Sequence, residues 1–170
     1  MKLEVASLRK NPGESRRFEF KEVIPPFEID GTQVTFTDPA LVHLDVTNTG
    51  ISLAVKGEIS GQLELICSRC LEPFHYRMKT TFEEQYRHIS EADDNNDDDR
   101  NYQVYEEDHI DLTDTVRENV ILSLPMKPVC SPGCRGICPE CGVNKNAKDC
   151  DCKKEEIDPR LAVLKEFFNQ

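Results

Sequence analysis

Eight closely grouped cysteines constrain this 170-residue chain more than any other feature of its sequence. Gaps of two residues place paired thiolates on tight turns, where both can face a single metal ion. The first residues lack the apolar block of a secretory signal peptide, so we expect a cytoplasmic protein whose thiols stay reduced. We therefore predict metal sites rather than disulfides. The predicted ligands are Cys67, Cys70, Cys130, Cys134, Cys138, Cys141, Cys150 and Cys152.

Eight thiolates make two tetrahedral sets of four. The simplest division closes one site with the last four cysteines, which are Cys138, Cys141, Cys150 and Cys152. The other site then links distant parts of the chain through Cys67, Cys70, Cys130 and Cys134. The run 138–142 has the form of a zinc knuckle, in which Gly142 accepts the positive φ that follows the second cysteine. Mixed pairings of the eight cysteines stay open at this point.

Zinc is the metal that these spacings predict, as one or two ions, with two favoured by the number of ligands. A four-thiolate site has no open coordination position for water, which argues against metal catalysis. Iron–sulfur clusters are the rival cofactor, but the chain lacks a compact ferredoxin run. It also lacks a nucleophile–base pair and a glycine-rich phosphate loop. We therefore predict that the protein is not an enzyme and takes no small-molecule substrate.

The alternative function is that of a thiol-based redox or zinc-sensing protein. A dithiol redox motif usually opens a helix in a βαβ context, whereas a strand leads into Cys67 and Pro73 follows Cys70. A sensor requires a metal that leaves easily and cysteines that oxidise reversibly.

Alternation of apolar and polar residues dominates the region before residue 90 and predicts β-strands. Asn48-Thr49-Gly50 offers a hairpin turn between two of them. The period of two, repeated across hairpin-length gaps, predicts an α+β fold with an antiparallel sheet or small barrel, two helices and a zinc-binding C-terminal segment. The predicted strands lie near residues 3–7, 16–21, 41–46, 51–55, 62–66 and 74–86.

Helical spacing predicts one helix at about 112–124, capped by Asp111, and a second that begins at Asp158 with Pro159 as its first residue. We therefore predict a β-rich body over residues 1–125 that includes the first helix. A cysteine-rich zinc segment with a C-terminal helix follows over residues 126–170. No apolar run is long enough to span a membrane, so we expect no membrane contact.

Acidic residues are concentrated in one part of the chain. Residues 83–118 carry 14 acidic and 3 basic side chains, against a net charge of −11 for the whole chain. At about 90–101 this excess predicts a disordered acidic loop, because like charges repel and nothing apolar is available to bury. Such a chain is poorly suited to bind bare RNA tightly, because phosphate contact requires cations.

Basic and amide side chains gather near the cysteines, and two readings of them stay open. They can offset the negative charge of metal-bound thiolates, or they can contact RNA phosphates or a protein partner. The candidate contact residues are Arg69, Arg135, Asn144, Lys145, Asn146 and Lys148, with Lys153 and Lys154 further along the same face.

Three motifs in order resemble the YceD family, also called the large ribosomal RNA subunit accumulation protein family. They are the segment 67–74 (CSRCLEPF), the run 134–144 (CRGICPECGVN) and the segment 158–164 (DPRLAVL). The resemblance implies a role in the accumulation of large-subunit ribosomal RNA and in large ribosomal subunit biogenesis. It also implies a large-subunit ribosomal protein, ribosomal RNA or both as partners, since family members often neighbour the gene of a small zinc-ribbon ribosomal protein.

Overall fold

The computed structural model of the chain describes residues 1–29, 32–91 and 102–152. The predicted C-terminal helix, Lys153, Lys154 and all but the first residues of the predicted acidic loop lie outside these ranges. What the sequence predicts for them stays a prediction.

The described residues form nine strands and two α-helices, with a 3-10 turn at Ile89–Glu91. In chain order these elements are β1 (Lys2–Glu4), α1 (Ala6–Arg9), β2 (Ser15–Glu22), β3 (Phe27–Ile29), β4 (Thr32–Phe36), β5 (Ala40–Asn48), β6 (Leu53–Ile66), β7 (Pro73–His88), β8 (Gln103–Tyr105), β9 (His109–Asp111) and α2 (Thr113–Ser123).

Seven of the strands form one open sheet, which confirms the predicted antiparallel sheet. Its main path runs β2-β5-β6-β4-β3, and β7 pairs with the other edge of β6. The predicted hairpin turn is confirmed, because Asn48 at the end of β5 pairs with Leu53 at the start of β6. The pair β7–β8 is parallel, which the sequence pattern does not predict. Strands β1 and β9 form a separate two-stranded sheet.

The core lies on one face of the large sheet. Alternate residues of β5 and β6, such as Val42, Val46, Val55 and Ile59, are buried, as the period of two predicts. Helix α2 covers this face with Val116 and Val120. Burial of apolar surface at about 25 cal/mol per Å² makes this packing the main source of stability.

Strand β6 is longer than its sequence suggests. The pattern predicts separate strands at 51–55 and 62–66, because Gly57 and Gly61 interrupt the apolar alternation. In the structure, a Cβ added at Gly57 would lie 2.1 Å from the Phe82 ring, so this ring lies directly on the glycine backbone. Aromatic cover of this kind keeps a glycine-containing strand continuous. As a result, β6 and β7 form one long hairpin whose turn carries the first two cysteines.

The N-terminal strand is shorter than predicted. Residues 5 and 8 are both buried, and this spacing of three suits a helical turn rather than a strand. Ser7, predicted to be in a strand, therefore lies in α1. Helix α2 is confirmed close to its predicted bounds, and the Asp111 carboxylate accepts a hydrogen bond from the Thr113 N–H at 2.9 Å. Neither described helix has the length and apolar character needed to cross a membrane.

Candidate metal centres

The first knuckle forms the turn of the long β6–β7 hairpin. Cys67 follows β6 directly, and its carbonyl accepts a hydrogen bond from the Leu71 N–H at 2.9 Å. The Cys67 N–H donates in turn to the Glu72 carbonyl at 2.9 Å. Leu71 has a positive φ of 60°, which lets the chain reverse after Cys70. The hairpin therefore presents two cysteines on a turn that its own strands fix.

The second knuckle repeats this pattern in the segment that follows α2. The Gly142 N–H donates to the Cys138 carbonyl at 2.9 Å, and the Cys138 N–H donates to the Val143 carbonyl at 2.8 Å. Gly142 has a φ of 73°, as the sequence predicts for the residue after the second cysteine. A single β-bridge between Ile137 and Asn144 closes the base of the turn.

The sulfur atoms gather into two groups of four, which follow the predicted division. In each group the four sulfurs lie within 4.8 Å of one another. The first cluster consists of Cys67, Cys70, Cys130 and Cys134, and the second of Cys138, Cys141, Cys150 and Cys152. The four cysteines of the first cluster come from two distant segments, so the cluster joins the hairpin turn to the segment after α2.

The spacing of the sulfurs fits a tetrahedral metal ion. Zinc–sulfur bonds of about 2.3 Å in a tetrahedron place the sulfurs about 3.8 Å apart. The Cys67 and Cys134 sulfurs are 3.8 Å apart, and the Cys70 and Cys130 sulfurs are 3.7 Å apart. All eight cysteines are free thiols, so no disulfide competes for them. The donor set therefore suits zinc or another ion that prefers four thiolates.

Backbone amides lower the pKa of a cysteine in each cluster and thereby favour its thiolate form, which binds a cation. Burial alone would raise the pKa of the Cys67 thiol, but the N–H groups of Cys70, Cys130 and Arg69 outweigh it and lower that pKa to about 6. The N–H groups of Cys141 and Glu140 lower the pKa of Cys138 to about 6 in the same way. Both sulfurs are therefore largely thiolates at neutral pH.

Other sulfurs hold their protons more tightly. The hydrogen bond with Cys134 is the main cause that raises the pKa of Cys130 to about 12. A corresponding hydrogen bond with Cys141 raises the pKa of Cys152 to about 12. A metal ion must displace these protons, so metal binding releases protons and its affinity falls as the pH falls.

The two clusters differ in burial. In the first, Cys67, Cys70 and Cys134 are buried and pack against Phe74 and Val129. In the second only Cys138 is buried, Cys150 is half-buried, and Cys141 and Cys152 are exposed. The first cluster therefore forms a small core of its own, whereas the second lies at the surface.

Backbone contacts hold the two knuckles together. The Arg69 carbonyl in the first knuckle accepts a hydrogen bond from the Ile137 N–H at 3.0 Å. Gly136, with a φ of 72°, makes this approach possible, because a Cβ there would lie 2.9 Å from the Arg69 carbonyl oxygen. The Ser68 N–H donates to the Pro128 carbonyl at 2.8 Å. The segment after α2 thus lies against the hairpin turn on both sides of Cys134.

Most of the predicted contact residues take part in this scaffold. The Arg69 guanidinium donates to the carbonyls of Pro132 and Cys134 at 3.2 and 3.1 Å. Arg135 forms an ion pair with Asp149. Both arginines therefore have structural contacts that the sequence pattern does not reveal.

The two asparagines have similar roles. The Asn146 amide donates to the Cys134 sulfur at 3.3 Å, and its oxygen accepts from the Arg135 N–H at 2.8 Å. The Asn144 side-chain oxygen accepts from the Asn146 N–H at 2.9 Å. Asn146 thus donates to a sulfur of the first cluster, and only its position just after the second knuckle could have suggested this role. Lys145 is half-buried and Lys148 is exposed on the same segment.

A large open cavity of about 960 Å³ lies on the solvent face of the sheet. The charged side chains on this face already pair across the strands. Arg17 lies 2.7 Å from Asp45, and Lys56 lies 3.1 Å from Glu83. Cross-strand ion pairs therefore occupy part of the cavity lining, which also includes Glu19, His43, Glu58 and Thr81.

Comparison with known proteins gives consistent matches along the chain. A sequence model described as large ribosomal RNA subunit accumulation protein YceD matches residues 55–168. An uncharacterized protein of Mycobacterium tuberculosis is 31% identical over 171 residues, which cover 99% of this chain and 81% of that protein. An uncharacterized protein of Bacillus subtilis is 30% identical over 175 residues, which cover 100% of this chain and 98% of that protein.

A relative in Zea mays is named large ribosomal RNA subunit accumulation protein YCED homolog 1, chloroplastic. It is 27% identical over 168 residues, which cover 82% of this chain and 57% of that protein. No solved structure matches the chain at a significant level.

Proposed function

Because the chain belongs to the YceD family of large ribosomal RNA subunit accumulation proteins, we propose that it supports the accumulation of large-subunit ribosomal RNA as a non-catalytic, zinc-binding factor. The name of the maize relative supports the same process. The observation that carries the zinc assignment is the presence of two groups of four sulfurs at tetrahedral spacing. Each group would hold one zinc ion, and all eight cysteines would be ligands.

The two ions would have different roles. In the first cluster, zinc would fix the segment after α2 against the hairpin turn. In the second, zinc would shape an exposed knuckle that projects toward a partner. Four-thiolate sites are closed to water, which supports a structural role and not catalysis.

The proposed partner is a ribosomal protein of the large subunit, ribosomal RNA, or both. The net charge of −11 favours contact through protein over tight binding to bare RNA. Arg69, Arg135 and Asn146 already form hydrogen bonds with residues of the segment after α2. Any RNA contact would therefore rest mainly on Lys145 and Lys148, beside the second knuckle.

A thiol-based redox or zinc-sensing role is the second candidate. The observation that favours it is the exposure of Cys141 and Cys152 in the second cluster, because exposed thiolates exchange metal and oxidise more readily. In this case the first cluster would keep its ion and the second would release it.

Metal content per chain, measured on protein purified without added metal, separates the two candidates. Two zinc ions in the parent and one in each of Cys67→Ser and Cys141→Ser would support two independent structural sites. A bound iron chromophore, or one labile zinc with the remaining cysteines in disulfides, would favour the redox role.

The cellular role is tested by depleting the protein and measuring the ratio of large-subunit to small-subunit ribosomal RNA. We expect this ratio to fall, and to recover with the parent chain but not with Cys67→Ser. Lys145→Glu with Lys148→Glu should fail to restore the ratio while keeping both zinc ions. Lys10→Glu with Lys21→Glu, at exposed positions outside the segment after α2, is the matched charge control and should restore it. An unchanged ratio on depletion contradicts the proposal.

A further inference from the structure

An apolar cleft lies at the C-terminal end of α2, beside the first metal cluster. Its volume is about 220 Å³, and every side chain that lines it is apolar. Strands β3, β4 and β6 form one wall, and the end of α2 with the residues after it forms the other. The side chains that define these walls are Ile29, Val34, Leu65, Ile121, Leu124 and Met126.

One residue that lines the cleft also exposes a large apolar side chain. Met126, which follows the end of α2, is fully exposed. An apolar cleft with an exposed apolar side chain at its edge marks a place where another group packs.

The size and chemistry of the cleft restrict its occupant. Pockets for drug-sized ligands measure about 300–1,000 Å³ and carry a few directed polar groups, and this cleft is smaller and has none. RNA is a poor occupant, because no cation lines the cleft to meet a phosphate. A groove of this type suits the apolar face of an amphipathic helix, which inserts side chains at intervals of three and four residues.

We propose that the occupant is the chain's own C-terminal segment, residues 157–168. Within the predicted helix, the apolar residues Leu161, Leu164 and Phe168 follow one another at intervals of three and four, which is the spacing of one helix face. An isolated helix of this length is marginal in water, so its formation requires packing against the body. The cleft offers the apolar surface that such a helix needs.

The connection to the described chain is long enough for this docking. The Pro128 carbonyl, which lies at the cleft, accepts a hydrogen bond from the Ser68 N–H at 2.8 Å, and the Ile137 N–H donates to the Arg69 carbonyl at 3.0 Å. Residues 68 and 69 together span about 7 Å. The Pro128 carbonyl and the Ile137 N–H therefore lie within about 13 Å of each other. Cys152 lies in the same cluster as Cys138, the residue after Ile137. From Cys152, residues 153–161 reach up to about 30 Å when extended.

The tether also gives this segment an advantage over a separate molecule. A short flexible connection raises the effective concentration of the segment at the cleft to the millimolar range. A second copy of the chain or a free partner would need to exceed this concentration or bind more tightly. Docking would cover Met126 and hold the end of the chain beside the first cysteine cluster.

Photocrosslinking of the full-length, zinc-loaded chain tests the proposal. Benzoylphenylalanine at Met126 should crosslink to residues 157–168 of the same chain, with a yield that does not depend on protein concentration. The same probe at Val23, which is 79% exposed near the other end of α2, is the control and should give at least 5-fold less of this product. Crosslinks between chains that grow with concentration assign the cleft to a second copy and overturn the proposal. Equal yields from the two probes also overturn it.

A double-mutant cycle gives an independent test of the docking, because it stays interpretable when the single variants are less stable than the parent. Residues in contact show non-additive effects, so Met126→Ala and Leu164→Ala together should change the unfolding equilibrium constant about 3-fold less than the product of their separate effects. The pair Val23→Ala and Leu164→Ala should be additive. Additivity in both pairs rules out docking at this cleft.

Discussion

Leu71 and Gly142 occupy the same position in the two knuckles, directly after the second cysteine, and both have left-handed backbone conformations with φ values of 60° and 73°. Each donates its N–H to the carbonyl of the first cysteine of its knuckle at 2.9 Å. Glycine adopts this conformation without strain, whereas the Cβ of leucine clashes with its own backbone. The backbone of the first knuckle is therefore strained at Leu71, whereas the backbone of the second knuckle is not strained at Gly142.

Replacing this leucine should stabilise the protein. The left-handed conformation costs a non-glycine residue about 1–2 kcal/mol, and glycine adds about 0.5–1 kcal/mol of entropy cost on folding. Leu71→Gly should therefore raise the free energy of unfolding by about 0.5–1 kcal/mol, measured with urea at a fixed free zinc concentration. Leu71→Ala is the matched control, because it removes the same exposed side chain and keeps the strain. If both variants unfold alike, the backbone at residue 71 is not strained.

Gly136 should be far less tolerant of substitution than Gly133. A Cβ at Gly136 combines a φ of 72° with an approach of 2.9 Å to the Arg69 carbonyl oxygen, whereas a Cβ at Gly133 meets nothing within 4 Å. Gly136→Ala should lower the free energy of unfolding by about 2 kcal/mol or more, through strain and separation of the knuckles. Gly133→Ala should change it by less than about 0.5 kcal/mol. Urea unfolding of the two variants side by side provides the measurement, and equal losses would contradict the close approach.

Removing metal should release the segment after α2 and spare the sheet. The apolar core of the sheet and the cysteine cluster are separate groups of buried residues, so the first should persist without the second. A chelator should leave the far-ultraviolet β signal largely unchanged and speed trypsin cleavage at Arg135, Lys145 and Lys148. Zinc should restore protection, and magnesium, which prefers oxygen ligands, should not. Collapse of the whole β signal would show that the fold depends on the metal.

The carboxylate that precedes α2 should make stability depend on acid pH. The Thr113 hydroxyl and N–H donate to Asp111 at 2.6 and 2.9 Å and lower its pKa to about 2. This lies below the value of about 3.9 for an unfolded aspartate, so the stabilisation is complete above pH 4 and disappears as the pH falls to about 2. The Asp111 side chain is exposed, so solvent screens its charge. Its contribution to the free energy of unfolding should therefore not exceed about 1 kcal/mol.

Asp111→Asn tests this relationship, since asparagine keeps the acceptor oxygen and lacks the charge. The variant should be less stable than the parent at pH 7 and equal to it near pH 2, measured by urea unfolding of both chains in the same buffers. Asp108→Asn, at an exposed aspartate nearby, should show a smaller difference. A deficit that stays constant with pH would mean that the charge of Asp111 does not contribute.

The observed grouping of the cysteines is the simplest of the pairings that the sequence left open. Close spacing indicates which sulfurs can share a turn, and a tetrahedral ion requires four of them, but the spacing does not decide which turns combine. The contacts of Asn146 and Arg69 were not predictable, because each depends on how the two knuckles pack. Both residues have partners beyond their own turn, and sequence spacing carries no information on such contacts.

The fold was predictable where one local pattern dominates. Strands β2, β5 and β7 follow the period of two, and α2 follows helical spacing. The continuity of β6 through Gly57 was not predictable, because it depends on the Phe82 ring of a neighbouring strand. The short strands β3, β8 and β9 have three residues each, too few to establish a period.

The first cysteine cluster brings Cys70 and Cys130 together, so a metal ion bound there would close the intervening chain into a ring. The entropy cost of closing a ring grows only with the logarithm of its length, at about 0.6 kcal/mol for each doubling. Residues added between β7 and β8, where the acidic run lies, would therefore cost the fold little as long as the four cysteines held the ion. Closure of the ring consequently places only a weak constraint on the length of this part of the chain.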